Sequence, residues 1–501
     1  MSATEPLHAA VPTRATLWLL AAVAGAAALA VGVLLFARLG ADHALLAAAL
    51  GLLAVLTVCF FGARALGLGG CIVALVVTCA LLLPKRITIP LTPGLWGGAW
   101  DFTILLSGCL FALLAAQFLA RRRRLRATGM EVWLAALFAV AAVSLLVNIN
   151  RFSDPDPAAR ALVWLFAPTA ALPLVANIPL SRRRRGLLLT LIIVLGGVLL
   201  LMGVFTTFHW WWRRLGPIGS LVFSPIQGML GRARSPLGSP NAMGLVFAML
   251  TPVVLVRVLG HRSLGKRLLY AAVAVLFLAG VVFSLSRSAV AVAVLGLIFF
   301  AAINSRVLGR RLVTTVVVLV LAGLVITGGV TAYRSRLNFG RLVTLAARQG
   351  RQAASDRLRA SSGEAALRIA QRHPLVGAGM GRHYPRDTST APIRVHGMVT
   401  ARDPHSLYVM ALAELGAVGL VIVLVIAAKP VRDFMRAFRT ARDPEAKALL
   451  SAFATAAFMI ALYGITSSSV AVGFRLAYFV WALIGLGYQL TFEAREPARE
   501  P

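Results

Sequence analysis

The chain has 501 residues, 59% of them hydrophobic and 13% charged, and its 50 Lys and Arg against 17 Asp and Glu give a net charge of +33. A mean hydropathy of +0.85 and charge-free apolar blocks of about 20 residues, the length that crosses a roughly 30 Å hydrocarbon core as helix, exclude a soluble globular enzyme and a disordered chain. The ~10-residue alternating segments of a membrane β-barrel are absent, and the charge is spread over many short loops rather than one basic domain, which disfavours nucleic-acid binding and fits loops facing anionic lipid head groups.

The expected fold is all-α, a polytopic transmembrane helix bundle of about fourteen spans, with twelve as the competing count. In chain order the spans fall at 15–37, 43–63, 65–84, 102–120, 130–148, 161–180, 186–207, 241–260, 268–285, 288–304, 312–333, 406–428, 447–466 and 470–491. Met1–Arg14 is too polar for the apolar region of a signal peptide, so the first span is expected to stay as an anchor. The basic blocks RRRRLR (121–126), SRRRR (181–185), HRSLGKR (261–267), SRVLGRR (305–311) and the segment 429–447 all fall on one side of this arrangement. The positive-inside rule makes that side cytoplasmic and puts both termini there.

Two longer segments lie on the outer side. His209–Pro240 carries Trp210, Trp211 and Trp212 beside Arg213 and Arg214, an interfacial belt. Arg334–Pro404 holds thirteen Arg against four acidic residues, Asp356, Glu364, Asp387 and Asp403, and has room for short helices lying over the bundle. A helix is expected over Gly363–Arg372, capped by Ser361 or Ser362, with Glu364 in its first turn and Pro374 as its stop. The chain then divides into N-terminal spans (1–207), central spans with the basic outer loop (208–333), the long outer loop (334–405), and C-terminal spans with a cytoplasmic tail (406–501).

Polar groups that could carry chemistry collect on the outer side. Arg287, in SLSRSA between two short spans, is either a snorkelling helix end or an anion clamp. His405 stands where the long loop re-enters the membrane. It is a helix cap, a snorkelling group or a general base, since imidazole accepts a proton near neutral pH. Glu414, in an apolar helix, is a paired structural group or part of the site. His373, His383 and His396 match no zinc spacing, and the four cysteines, Cys59, Cys71, Cys79 and Cys109, sit in apolar stretches without a disulfide or zinc pattern. Asp154-Pro155-Asp156 reads as a turn. Gly377-Ala378-Gly379-Met380-Gly381 lacks the Lys-Ser/Thr of a phosphate loop and reads as a tight turn permitting close packing.

Four stretches together resemble the O-antigen ligase and O-antigen polymerase family of bacterial membrane glycosyltransferases. They are RARSPLGSPN (232–241), SRSA (286–289), RIAQRHPLVGAGMG (368–381) and HSLYVMALAELGAVG (405–419). The last has Ser406 where the family more often has Asn, and Ser235 stands where Gly is frequent. The resemblance implies transfer of glycan from undecaprenyl diphosphate to a hydroxyl acceptor on the outer face of the inner membrane, without metal or other cofactor. The acceptor would be lipid A–core sugar, a further repeat unit or a protein hydroxyl. Under it His405 would be the base and Arg287 the diphosphate clamp, assisted by Arg232 (Arg234 as its alternative), Lys85, Arg86 and Arg368, with Asn241 and Glu414 in support. The partners are then the lipid-linked glycan donor, a lipid- or glycan-linked acceptor and membrane lipids. The alternative from another class is a secondary transporter or flippase for an anionic solute, which would place ionisable residues at mid-membrane in broken helices.

Overall fold

The computed structural model describes residues 66–67, 69–78, 80–81, 125–148, 162, 165–207, 237, 239–284, 286–305, 360–380, 405–468 and 474–495, together with four short strands. The helices among them are α1 (Gly69–Thr78), α2 (Met130–Asn148), α3 (Ala171–Asn177), α4 (Arg182–Thr207), α5 (Pro240–Gly260), α6 (Leu264–Phe283), α7 (Arg287–Ser305), α8 (360–372), α9 (Leu407–Thr440), α10 (Pro444–Thr466) and α11 (Phe474–Arg495). Seven of these (α2, α4, α5, α6, α7, α9 and α10) are long and apolar enough to cross a membrane. The spans expected at 15–37, 43–63, 102–120 and 312–333 lie outside the described residues. Two antiparallel ribbons join the helices, β1 (Thr88–Ile89) with β2 (Trp100–Asp101) and β3 (Ile393–Val395) with β4 (Met398–Thr400), where only helices were expected.

The helix starts follow from local chemistry. Ser239 caps α5 by accepting from the N–H of Ala242, and Pro240 fills a first-turn position, where its missing N–H costs nothing. Asp443 caps α10 by accepting from the N–H groups of Glu445 and Ala446, again with Pro444 next. The expected single span at 161–180 is instead split. Pro168 sits in a short 3-10 turn, Ala167–Ala170, between helical residues 165–166 and the helix Ala171–Asn177. A proline there cannot donate its share of a helical ladder. The helix expected over Gly363–Arg372 ends where expected, with Pro374 two residues on. It is already formed at residue 360, however, so Ser361 and Ser362 lie inside it and do not cap it.

α5 forms the centre, buried along almost its full length and packed on α4, α6 and α10. Close helix approach depends on small residues, as is usual where lipid supplies no hydrophobic drive between helices. A Cβ on Gly280 of α6 would meet the Phe247 ring at 2.6 Å. Around this core the helix ends sort into two groups. At one end Arg182 pairs with Glu445, Arg185 with Glu493, and Arg257 reaches both Glu445 and the Gly186 carbonyl. There too Asp433 pairs with Lys429 and accepts from the Tyr488 hydroxyl at 2.9 Å. The opposite end collects the starts of α5, α7 and α9. α2 runs antiparallel to α9, its N-terminal Gly129 lying beside Lys429 and its C-terminal Ser144 beside Glu414.

Candidate functional site

Three helix starts carry the motif residues at that opposite end. In α5, Ser239 is the cap and Asn241, half-buried, stands in the first turn. In α7, the Ser286 hydroxyl accepts from the N–H of Ala289 at 3.3 Å, which makes Ser286 the cap and Arg287 the first helical residue, exposed. In α9, the Ser406 hydroxyl accepts from the N–H of Val409 at 3.4 Å. Ser406 is therefore the side chain that caps α9, directly after His405. The replacement of Asn by Ser at 406 is also explained, since both side chains cap well. His405 itself is exposed and has φ 54°, and it is the one non-glycine residue in the left-handed region among the described residues. Such a backbone costs an L-residue about 1–2 kcal/mol and is characteristic of sites where side-chain direction matters.

Beyond Ser406, α9 is not continuous. Gly416 has φ 71° and ψ −169°, so the ladder breaks in the middle of an apolar helix. A break leaves the carbonyls just before it and the N–H groups just after it without intrahelical partners, and hydrocarbon offers none. The turn after α8 supplies them. Ala378 donates to the Ala413 carbonyl at 2.9 Å and Gly379 to the Glu414 carbonyl at 3.2 Å, while the Pro374 carbonyl accepts from Ala417 at 2.7 Å. The contact is backbone on backbone, which requires glycine on both sides. Gly377 has φ 72°, and a Cβ on it would lie 2.2 Å from the carbonyl carbon of Glu414. A Cβ on Gly416 would lie 2.2 Å from the carbonyl oxygen of Leu375. The close-packing turn expected at Gly377–Gly381 is present over Gly377–Met380, with Gly381 outside the described residues, and its partner is the Glu414-Leu415-Gly416 break.

The predicted site residues fall into two groups. Asn241 and Arg287 belong together, because the α5 start packs on the α6–α7 turn: a Cβ on Gly244 would meet the Ser284 hydroxyl at 2.6 Å and the Ala289 methyl at 2.7 Å. Arg368, His405 and Glu414 form the second group. Arg368 is on the exposed face of α8, whose buried face (Ala366 and Ile369) packs on Ala413 and Val409. Glu414 is buried at 4% exposure. α10 touches both groups: Gly296 and Phe299 of α7 meet Met459 and Phe458, and the Tyr408 hydroxyl donates to the Ala461 carbonyl at 2.7 Å. The starts of α7 and α9 therefore stand beside the last turns of α10, at one end of the bundle. Arg232, Arg234, Lys85 and Arg86 lie outside the described residues.

Below the second group is a cavity of about 100 Å³ between α2, α9, α10 and α11. Glu414, Tyr408 and Met380 line it near the His405 end, and Ile426 and Pro430 continue it along α9. Its walls are almost wholly apolar, so it suits an alkyl or prenyl chain rather than a polar solute.

Sequence reasoning passed over two residues of this end. Ser144 and Asn148 of α2 are buried at 0% and 2% exposure, with the Ser144 hydroxyl donating to the Glu414 carbonyl at 2.8 Å and the Asn148 amide to the Gly377 carbonyl at 3.3 Å. The available signal was a pair of polar residues four apart at the end of a helix that is apolar from Val132 to Val143.

Residues 272–424 match the family model described as O-antigen ligase. The match contains three of the four motif stretches, and with them Arg287, Arg368, His405 and Glu414. That part of the chain is similar to O-antigen ligase, and the seven long apolar helices agree with a multi-pass membrane protein. No curated protein matches the chain.

Proposed function

We propose that this chain is an O-antigen ligase-like glycosyltransferase of the bacterial inner membrane, moving glycan from undecaprenyl diphosphate to the hydroxyl of a lipid- or glycan-linked acceptor on the outer face. The observation that carries the reading is His405. It is held in a left-handed backbone directly ahead of the Ser406 cap, at the same end of the bundle as Arg287 and within the stretch that matches O-antigen ligase.

The chemistry follows from the groups available. His405 takes the proton of the acceptor hydroxyl as its oxygen attacks the anomeric carbon. The bond from that carbon to the diphosphate oxygen breaks, and the diphosphate leaves with the electron pair. Arg287, at the first turn of α7, faces that charge with a planar fork of donors and with the positive end of the helix dipole behind it. Arg368, with Arg232 (or Arg234) and Lys85 or Arg86 as further candidates, would supply the cationic charge that stabilises the departing diphosphate without a divalent ion. The prenyl tail lies along the apolar cavity beneath Glu414.

A break in a span beside a buried carboxylate is also a feature of secondary transporters. Here the broken ends are satisfied by the chain's own Pro374–Gly379 turn rather than left facing a solute path, and the family match favours transfer. The test is the purified protein with a lipid-linked glycan donor, an acceptor mixture and excess chelator. Transfer of glycan with release of undecaprenyl diphosphate is expected. Uptake of an anionic solute into proteoliposomes, without transfer, would establish the transporter instead.

A further inference from the structure

Building on the function proposed above, we infer that Ser144 and Asn148 of α2 are positioning residues of the candidate site, a two-point clamp that fixes the His405-bearing half of α9 against the turn after α8.

α2 is otherwise a lipid-facing helix. Val132, Leu146 and Val147 are 70%, 66% and 64% exposed. Its buried stripe is Met130, Leu134, Leu137, Ala141, Ser144 and Asn148, the seam spacing of a helix packed along one partner. The first four positions are apolar and the last two polar. A change of chemistry at one end of a seam requires a polar partner there, because an unsatisfied donor at that depth costs several kcal/mol.

One partner is a carbonyl exposed by the break in α9, and the other is a carbonyl of the turn that docks on that break. The Glu414 carbonyl has lost its helical donor and accepts from Ser144 Oγ at 2.8 Å and from Gly379 N–H at 3.2 Å. Asn148 Nδ2 donates to the Gly377 carbonyl at 3.3 Å and to the Ser144 carbonyl at 2.8 Å, tying the turn to the same helix. One helix therefore holds both halves of a joint that three backbone hydrogen bonds also tie together. Residues 405–415 lie above the joint, and α8, with Arg368, is continuous with the turn. A shift of α2, or loss of its two donors, frees the segment that aims His405 while leaving the core of α5, α6 and α10 untouched. Small displacements of a catalytic group lower turnover strongly.

The experiment uses full-length protein with Ser144→Ala, Asn148→Ala, the double variant and the conservative Ser144→Thr. Hydrogen exchange followed by mass spectrometry, together with donor KM and kcat on the folded fraction, gives the readout. The double variant should exchange faster at 374–380 and 405–416, with peptides of 240–260 unchanged. Its kcat should fall at least about tenfold, and Ser144→Thr should restore kcat and exchange to wild-type values. Unchanged exchange in 374–380 and 405–416 would overturn the clamp. Faster exchange with unchanged kcat would overturn the positioning role. A wild type that transfers nothing would refute the proposed function itself, and the exchange data would still decide the clamp independently.

Discussion

Gly377 and Glu414 are in contact through their backbones alone, at a separation that leaves no room for a methyl group on the former. A Cβ there would lie 2.2 Å from the Glu414 carbonyl carbon, and one on Gly416 equally close to the Leu375 carbonyl oxygen. Both glycines also have positive φ, 72° and 71°. Neither obstacle is the movable end of a side chain. Gly377→Ala and Gly416→Ala should each lose more than the roughly 1–2 kcal/mol of left-handed strain alone, seen as a lowered melting temperature in detergent or failure to recover folded protein. Gly363 in α8, where an added methyl group would meet nothing within 4 Å, is the control. Its change to Ala should be neutral or stabilise by up to about 1 kcal/mol. Equal melting of Gly416→Ala and wild type would mean that the turn does not dock on the break.

The opposite end offers a pH prediction. His261, between α5 and α6, has its pKa lowered, first by burial and then by Arg257 and Lys266, with Glu445 opposing. A histidine depressed in the folded state contributes stability above its ordinary value of 6.5, and that contribution disappears as pH falls through the lower folded value. Two-dimensional NMR of histidine-labelled protein should therefore show His261 predominantly neutral at pH 6.5. Arg257→Gln should move its midpoint upward, and Glu445→Gln further down. A midpoint at or above 6.5 in the wild type would show that neither burial nor the Arg257 and Lys266 charges act on the imidazole.

The spans 241–260, 268–285 and 288–304 were legible to within about four residues, because apolar blocks ended at Ser, Pro and basic residues that also end the helices. The break at Gly416 was not. Hydropathy runs straight through it, and the glycine adopts positive φ only because a turn some forty residues earlier in the chain supplies replacement hydrogen bonds. The motif glycines were visible as a pattern, but their reason is tertiary. The same holds for Ser144, whose partner is a carbonyl released by that break. Arg287 and His405 were readable as candidates because charge and imidazole stand out in an apolar chain. That Ser286 and Ser406 are the caps beside them is visible only in three dimensions.

Arg287 separates two roles by substitution. As a clamp it acts on diphosphate charge present both before and during transfer, so Arg287→Ala should weaken donor binding and lower turnover together. Arg287→Lys should recover little, because one ammonium cannot reproduce the bidentate fork. Donor-lipid affinity and single-turnover rate on purified variants decide it. Full recovery by Lys would reduce Arg287 to a general positive charge at a helix end, the snorkelling reading.

His405 allows a sharper separation, because its backbone and its imidazole make opposite demands. The left-handed φ favours Gly or Asn, so His405→Gly and His405→Asn should fold as well as the wild type, or melt slightly higher. Neither can take the acceptor proton at neutral pH, so both should lower turnover by roughly 10²–10⁴-fold, the usual worth of a general base. Donor affinity should hardly change, since the base addresses the acceptor. Wild-type single-turnover rate should rise with pH as the imidazole deprotonates, and both variants should flatten that rise. The decisive combination is thermal melting, donor affinity and rate over a pH series on the same preparations. A folded His405→Gly enzyme with near wild-type rate would mean that the imidazole takes no part, and the search for the base would move to His383, His396 and Glu414.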